Sequence, residues 1–313
     1  MHNYKQEIED CHNRIKPYIH NTPVMTSTYL NKLSGAEVYF KCENFQRMGA
    51  FKMRGATNAI LQLSEQQQKR GVVTHSSGNM AQAVALSARS LNIPAYIVMP
   101  ENAPSVKKEA VLGYGGQVTE CESTIEARKA TADSIADETG ASFLHPSNDL
   151  NVIIGQGTTA KELLEEINGL QVVMVPVGGG GLLAGTSLSV KSFGSECITI
   201  AGEPMAADDA YRSLQSGQIE KNITFNTIAD GLRTHLGDIN FPIIQKHVDR
   251  IIRVEEEEII NAMRLIWERM KIIVEPSSAV PFAALLKEKE KFAFKKVGII
   301  LTGGNVDLAN LPF

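Results

Sequence analysis

Four short segments carry residue types that could do chemistry. Gly178-Gly179-Gly180-Gly181 follows an apolar run and leads into Leu182-Leu183-Ala184-Gly185. Successive glycines let backbone N–H groups turn toward one point, and a helix start adds partial positive charge, a combination that suits a phosphate. A flexible turn is the other reading, although four glycines in a row lose much entropy on ordering. Ser76-Ser77-Gly78-Asn79 offers hydroxyls and helix-start amides to a carboxylate, while the same residue types serve as ordinary helix caps. Thr302-Gly303-Gly304-Asn305 sets a hydroxyl at a strand end beside two glycines, which would admit a flat ring or form a plain turn. Lys52 lies in Asn44-Phe45-Gln46-Arg47-Met48-Gly49-Ala50-Phe51-Lys52-Met53-Arg54-Gly55-Ala56, among apolar and small residues near a helix start. Desolvation there would lower its pKa and leave a nucleophilic amine. The alternative is a surface lysine with its stem packed down and its charge in water.

These segments need a scaffold that brings them together. Apolar, β-branched runs at residues 38–40, 72–73, 95–99, 172–177, 197–201 and 297–301 read as buried strands. Helical stretches are expected over residues 80–91, 105–112, 124–138, 158–167 and 255–270. Near-continuous apolar strands separated by helices predict a parallel α/β sheet covered on both faces. Residues 72–144 hold their own β-α-β-α series and could form an inserted lobe. In such folds ligands sit in the loops at the carboxyl ends of strands, where all four segments fall.

Composition excludes several function classes. The 313 residues are 43% hydrophobic and 21% charged, as in ordinary globular enzymes, and the formal net charge of -4 gives no pull toward nucleic acid or anionic membranes. Cys11, Cys42, Cys121 and Cys197 lack CxxC spacing, which argues against a disulfide framework or zinc site and fits a reducing compartment. Residues 1–10 are polar and charged, so no signal peptide is expected, and no apolar run reaches membrane-spanning length. A cytoplasmic location is the expectation.

Taken in chain order, the stretch Glu43–Ala56, the loop Ser76–Asn79, the tetraglycine loop and Leu301–Asp307 resemble the fold-type II pyridoxal-phosphate enzymes, and most closely their branch of serine racemases and biodegradative serine/threonine dehydratases (threonine ammonia-lyases). The likeness runs along essentially the whole chain. It implies a tryptophan synthase beta-like α/β fold: two doubly wound parallel-sheet domains with the active site between them. The large cofactor domain would comprise residues 1–66 plus 147–313, and the small mobile domain residues 67–146. No appended regulatory domain is expected after Phe313, and the family habit is a homodimer. The implied activity is dehydration and deamination of L-serine or L-threonine to a 2-oxo acid and ammonia, with serine racemization. A 3-hydroxyaspartate ammonia-lyase is the alternative within the family, for which Arg128 is one candidate to hold the distal carboxylate; a surface helix charge is the favoured reading of that residue.

Carried over residue by residue, the resemblance makes Lys52 the Schiff-base lysine and the base on one cofactor face, with Phe51 packed beside the ring. Gly178, Gly179, Gly180 and Gly181, with the Leu182 amide, would hold the phosphate. Asn79 would bind the ring hydroxyl, and Thr302 would face the pyridine nitrogen. A neutral hydroxyl there leaves that nitrogen unprotonated, which suits elimination or racemization over transamination. Ser76, Ser77, Gly78 and Asn79 would bind the substrate carboxylate, and Ser77 matches the acid/base on the opposite face in racemases. Glu203, Asp209 and the Ala207 carbonyl match a divalent-cation site whose oxygen ligands suit Mg²⁺, Ca²⁺ or Mn²⁺; a solvated acidic helix start is the other reading. Ser27, Gln82, Tyr114, Lys271 and Asn305 match positions lining an ATP site at the dimer interface of some racemases, while Arg47 and Met48 depart from the residues beside it. Met80, Ala50 and Ser147 also depart from the common histidine, serine and asparagine.

A reading from another class is a nicotinamide-dependent oxidoreductase. Gly179-x-Gly181-x-x-Ala184 after a strand, with Glu203 ending the next strand, satisfies the dinucleotide fingerprint on paper. It leaves Lys52, Ser76–Asn79 and Thr302–Asn305 without a role.

Overall fold

The strands β1 (Val24–Met25), β2 (Glu37–Cys42), β3 (Val72–His75), β4 (Ala95–Pro100), β5 (Gln117–Cys121), β6 (Ser142–Phe143), β7 (Val172–Pro176), β8 (Ile198–Pro204), β9 (Val248–Val254) and β10 (Lys296–Leu301) form two sheets. This is a computed structural model that describes residues 3–103 and 105–313. The larger sheet has the order β1-β2-β10-β7-β8-β9, and the smaller has the order β5-β4-β3-β6. All pairs are parallel except β1 with β2. Parallel strands buried on both faces are the expected α/β arrangement, and the fully buried pattern of β7 fits it.

Sheet order decides which loops meet. Leu301 of β10 pairs with Cys42 of β2, and β10 also pairs with β7. The carboxyl ends of three adjacent strands therefore open onto the Lys52 segment, Thr302–Asn305 and the glycine loop. In the small sheet β3 pairs with β6, so the loops after His75 and Phe143 are neighbours.

Two apolar clusters cover the large sheet, one under helices Glu256–Met270 and Pro276–Lys287, the other under Leu150–Glu166 and Gly181–Phe193. Each fully buried Leu or Ile contributes about 1.5–3 kcal/mol, so Leu183, Leu188 and Ile153 anchor the helix that follows the glycine loop. A third cluster joins Met53, Ala56 and Ile60 of helix Lys52–Leu61 to Met80, Val84 and Ile97 of the small-sheet unit. The lysine-bearing helix is thus wedged between the two sheets.

Several elements extend or escape the sequence reading. The helix expected over 158–167 runs Leu150–Glu166, because Asp149 accepts from the Val152 amide and caps it eight residues earlier. Helix Tyr4–Ile15 buries Ile8, Cys11 and Ile15 at helical spacing within a segment read only as polar. Strand β9 hides its period behind Asp249, Arg250 and Arg253. No disulfide joins the cysteines, and among the described residues no helix is long and apolar enough to cross a membrane.

Candidate active site

Lys52 is the first residue of its helix, and protein surrounds its Nζ although part of the side chain faces the cleft. The Nζ donates to the Pro146 carbonyl at 2.6 Å and lies 5.1 Å from the Phe51 ring centre. Burial lowers its pKa from the ordinary 10.5 to about 8, against the opposing pull of the Glu275 carboxylate. The surface-lysine alternative is excluded by this placement.

The helix is held by a buried charge cluster. Arg54 is fully buried and donates to both Glu43 oxygens at 2.8 Å and both Glu162 oxygens at 2.7 Å. Lys41 Nζ reaches Glu162 at 2.8 Å and the Thr22 carbonyl at 2.6 Å. Burial alone would raise the Glu162 carboxyl, but hydrogen bonds from His12 and Arg54 hold it well below the usual carboxylate range. Removing one partner of such a cluster typically costs about 3–5 kcal/mol because the other charge is left unpaired.

The glycine loop is buried throughout. Gly180 sits at φ +81°, a left-handed conformation that side chains resist, and a Cβ there would approach the Asn240 Oδ1 to 2.6 Å. Asn240 Nδ2 donates to the Gly179 carbonyl at 2.8 Å, which fixes the loop from outside. Among the described residues no acceptor meets the amides of Gly178, Gly179 or Gly180. Buried amides without acceptors, ahead of a helix start at Gly181, form a cradle that fits a phosphate.

Thr302 is buried, its Oγ1 3.0 Å from the Ser278 Oγ, and its carbonyl accepts from the Phe51 amide at 2.9 Å. The group at this strand end is a pair of neutral hydroxyls. Asn79 begins helix Asn79–Ser90, and its Nδ2 donates to Glu275 at 3.0 and 3.1 Å. Its Oδ1 accepts from Asn305 Nδ2 at 2.8 Å, so the amide is oriented from both sides. Burial raises the Glu275 carboxyl to about 7, with Asp230 adding repulsion and the Asn79 hydrogen bond opposing. In the Ser76–Asn79 loop the Ser76 Oγ accepts from the Gly78 amide at 3.2 Å, and Ser77 has no hydrogen-bond partner among the described residues. The cap position is taken by Gly78 with no side-chain cap bond, so neither serine caps this helix.

Glu275 was missed in the sequence, and His145 was seen only as part of the loop His145-Pro146-Ser147-Asn148-Asp149 that resembles a substrate-facing segment. Glu275 precedes Pro276 at the start of a helix, a pattern that signals only a helix boundary. His145 Nδ1 accepts from the Ser147 and Asn148 amides at 3.1 and 2.8 Å and shapes the turn carrying Pro146. Burial, then His75 and Lys52, lower its pKa to about 4, so it stays neutral. Of the departures, Met80 is buried in the third core cluster, and Ala50 pairs with Gly303.

Glu203, Ala207 and Asp209 are all buried. Glu203 accepts from the Ala210 and Tyr211 amides at 2.9 and 2.8 Å, and Asp209 from Asn222 at 2.8 Å and the Leu236 amide at 3.1 Å. The solvated helix start is thereby ruled out. Burial, then Asp209, push Glu203 well above the carboxylate range, and burial raises Asp209 to about 6. Two buried carboxylates, with Asp209 raising Glu203 and lone pairs to spare on both, fit a cation. Among the described residues no group of three or more His, Cys, Asp or Glu side chains gathers for a metal, so the third ligand would be the Ala207 carbonyl. Ser27, Gln82, Tyr114 and Lys271 share no hydrogen bond with one another, while Asn305 joins the site through Asn79.

A buried lysine, an amide cradle, a hydroxyl pair and an oriented asparagine at neighbouring strand ends define a site for a phosphorylated aromatic cofactor that bonds to an amine. The family model of the "Pyridoxal-phosphate dependent enzyme" matches residues 15–303, and the chain belongs to that family. It is 50% identical over 310 residues to a serine racemase of Dictyostelium discoideum, covering 98% of this chain and 96% of the relative. It is also 50% identical over 303 residues to the beta-hydroxyaspartate dehydratase of Paracoccus denitrificans, covering 97% and 96%. The crystal structure of Dictyostelium discoideum serine racemase superposes with a TM-score of 0.93 at 51% identity, covering 97% of this chain and 99% of that one. The oxidoreductase reading is overturned by this membership.

Proposed function

We propose that this enzyme removes water and ammonia from L-serine or L-threonine and interconverts the serine enantiomers. The observation that carries the reading is the hydroxyl pair Thr302–Ser278 beside the buried Lys52. Pyridoxal phosphate, when bound, supplies the electron sink for the α-carbon; Gly178–Gly181 and the Leu182 amide hold its phosphate, Asn79 its ring hydroxyl and Thr302 its nitrogen. Phe51 packs beside its ring. Lys52 Nζ takes the α-proton of the L-substrate, and the Ser76–Asn79 loop grips the substrate carboxylate. Loss of the α-proton and β-hydroxyl leaves an enamine, whose hydrolysis gives the 2-oxo acid and ammonia.

A 3-hydroxyaspartate lyase is the second reading, favoured by Arg128. This arginine is half-buried in the small-sheet unit, has no carboxylate partner among the described residues, and acts electrostatically on His75. The test is 2-oxo acid release from L-serine, L-threonine and 3-hydroxyaspartate, with chiral analysis of residual serine. Pyruvate and D-serine from L-serine are expected. No 2-oxo acid from any of the three would sink both readings.

Residues 1–66 plus 147–313 and 67–146 are read as large and small mobile domains, in a cytoplasmic homodimer. We also assign Glu203, Asp209 and the Ala207 carbonyl to Mg²⁺, Ca²⁺ or Mn²⁺. Asp209 holds Leu236, and Leu236 packs on Gly180, so a cation would stiffen the glycine loop. Saturating Mg²⁺ should raise the Tm by about 5 °C. Glu203→Gln should abolish that response, and a wild-type Tm indifferent to chelation and metal refutes the assignment. ATP at Ser27, Gln82, Tyr114, Lys271 and Asn305 would act through the Asn305–Asn79 bond.

A further inference from the structure

The segment Asp230–Leu232, a single 3-10 turn, touches three walls of the cleft. A Cβ on Gly178 would come within 2.7 Å of the Leu232 Cα, so the turn backs the glycine loop directly. The Gly231 amide donates to Ser277 Oγ at 3.2 Å, next to Ser278, which binds Thr302 and Gly303. The Asp230 carboxylate crosses the cleft to Lys107 Nζ on helix Ser105–Gly113 of the small-sheet unit. Among the described residues this is the one ion pair joining residues 72–143 to the rest of the chain. Both members act electrostatically on Glu275, with opposite signs.

We propose that Lys107 and Asp230 are positioning residues, a latch that seats the small-sheet unit against the glycine loop and brings Asn79 and Ser77 into register with Lys52. This rests on the reading of the cleft as the reaction site. The side chains of Lys107 and Asp230 are 20% and 42% exposed, so the pair adds little to global stability. Its effect falls on the balance between closed and open arrangements, where a modest differential interaction shifts the populations. The neighbouring Lys108 cannot replace Lys107, since it is held by Glu120 at 2.9 Å and by the Glu101 carbonyl at 2.9 Å.

The experiment compares the cofactor-loaded wild type with Lys107→Gln, Asp230→Asn and the charge swap Lys107→Asp with Asp230→Lys. Amide hydrogen exchange is followed in residues 105–113 and 230–232, alongside kcat/KM for L-serine. Each single variant should speed exchange in both segments and lower kcat/KM by about three- to tenfold, with unchanged Tm and visible absorbance. The swap should regain most of both losses. Unchanged exchange overturns the latch. Faster exchange with unchanged kcat/KM makes the pair structural only and equally overturns its positioning role. A wild type with no serine turnover counts against the assigned reaction, while the exchange arm still decides whether the latch exists.

Discussion

Lys52→Ala should lower 2-oxo acid formation by at least about 10²–10⁴-fold, the range that a positioned acid–base group alone supplies. Among the described residues no nearby amine is free to take its place. Lys41 is fully buried and committed to Glu162 and the Thr22 carbonyl, and Lys107 is paired with Asp230. Borohydride treatment of the wild type should fix the cofactor to the peptide carrying Lys52, and the variant should take up no label. Near-native turnover in the variant, or a label on another lysine, would remove Lys52 from the mechanism.

The same residue carries a pH signature. The neutral amine is the nucleophile, and burial lowers the Lys52 pKa to about 8, so more of it is neutral than for a lysine at the ordinary 10.5. Cofactor uptake by the cofactor-free protein should therefore speed up with pH and level off above about 8. Stopped-flow absorbance across the pH range reads this directly. A rate still climbing steeply at pH 10 would mean that Lys52 is not desolvated in solution.

How much of this was legible in the sequence depends on the range over which each residue works. The glycine loop and Lys52 announce themselves locally: glycines before a helix start have few structural uses, and a lysine flanked by Phe51 and Met53 is already set among apolar neighbours. Strands β2, β7, β8 and β10 of the large sheet were legible from their apolar runs, which the two-residue β1 and β9 with its three charged residues lack. Glu275 was not legible, because its meaning comes from Asn79, 196 residues away, and from the burial that raises its carboxyl. Nothing in the sequence marks Arg54, Glu43 and Glu162 as a buried cluster, which exists only because β2 and two helices close around them. Ser76 and Ser77 read equally well as caps. Backbone geometry decides against that, since Gly78 takes the cap position without a side-chain bond.

That last point sharpens the expectation for Ser77. In the proposed mechanism, elimination from an L-substrate has Lys52 take the α-proton and an acid assist the departing hydroxyl. Racemization further needs a proton delivered from the opposite face, the role proposed for the Ser77 hydroxyl. Ser77→Ala should therefore suppress L-to-D serine conversion and D-serine breakdown by about 10²-fold or more, and L-serine breakdown far less. A capping serine would cost about 1 kcal/mol on truncation and would depress all three reactions together. Here the Ser77 hydroxyl has no hydrogen-bond partner among the described residues and the side chain is half-exposed, so alanine removes no structural bond. The Tm and the bound cofactor should be retained. The measurement is pyruvate release from each serine enantiomer, with chiral chromatography of the serine that remains. Equal losses across the three reactions would reject a proton donor at Ser77 and leave an enzyme that works from the Lys52 face alone.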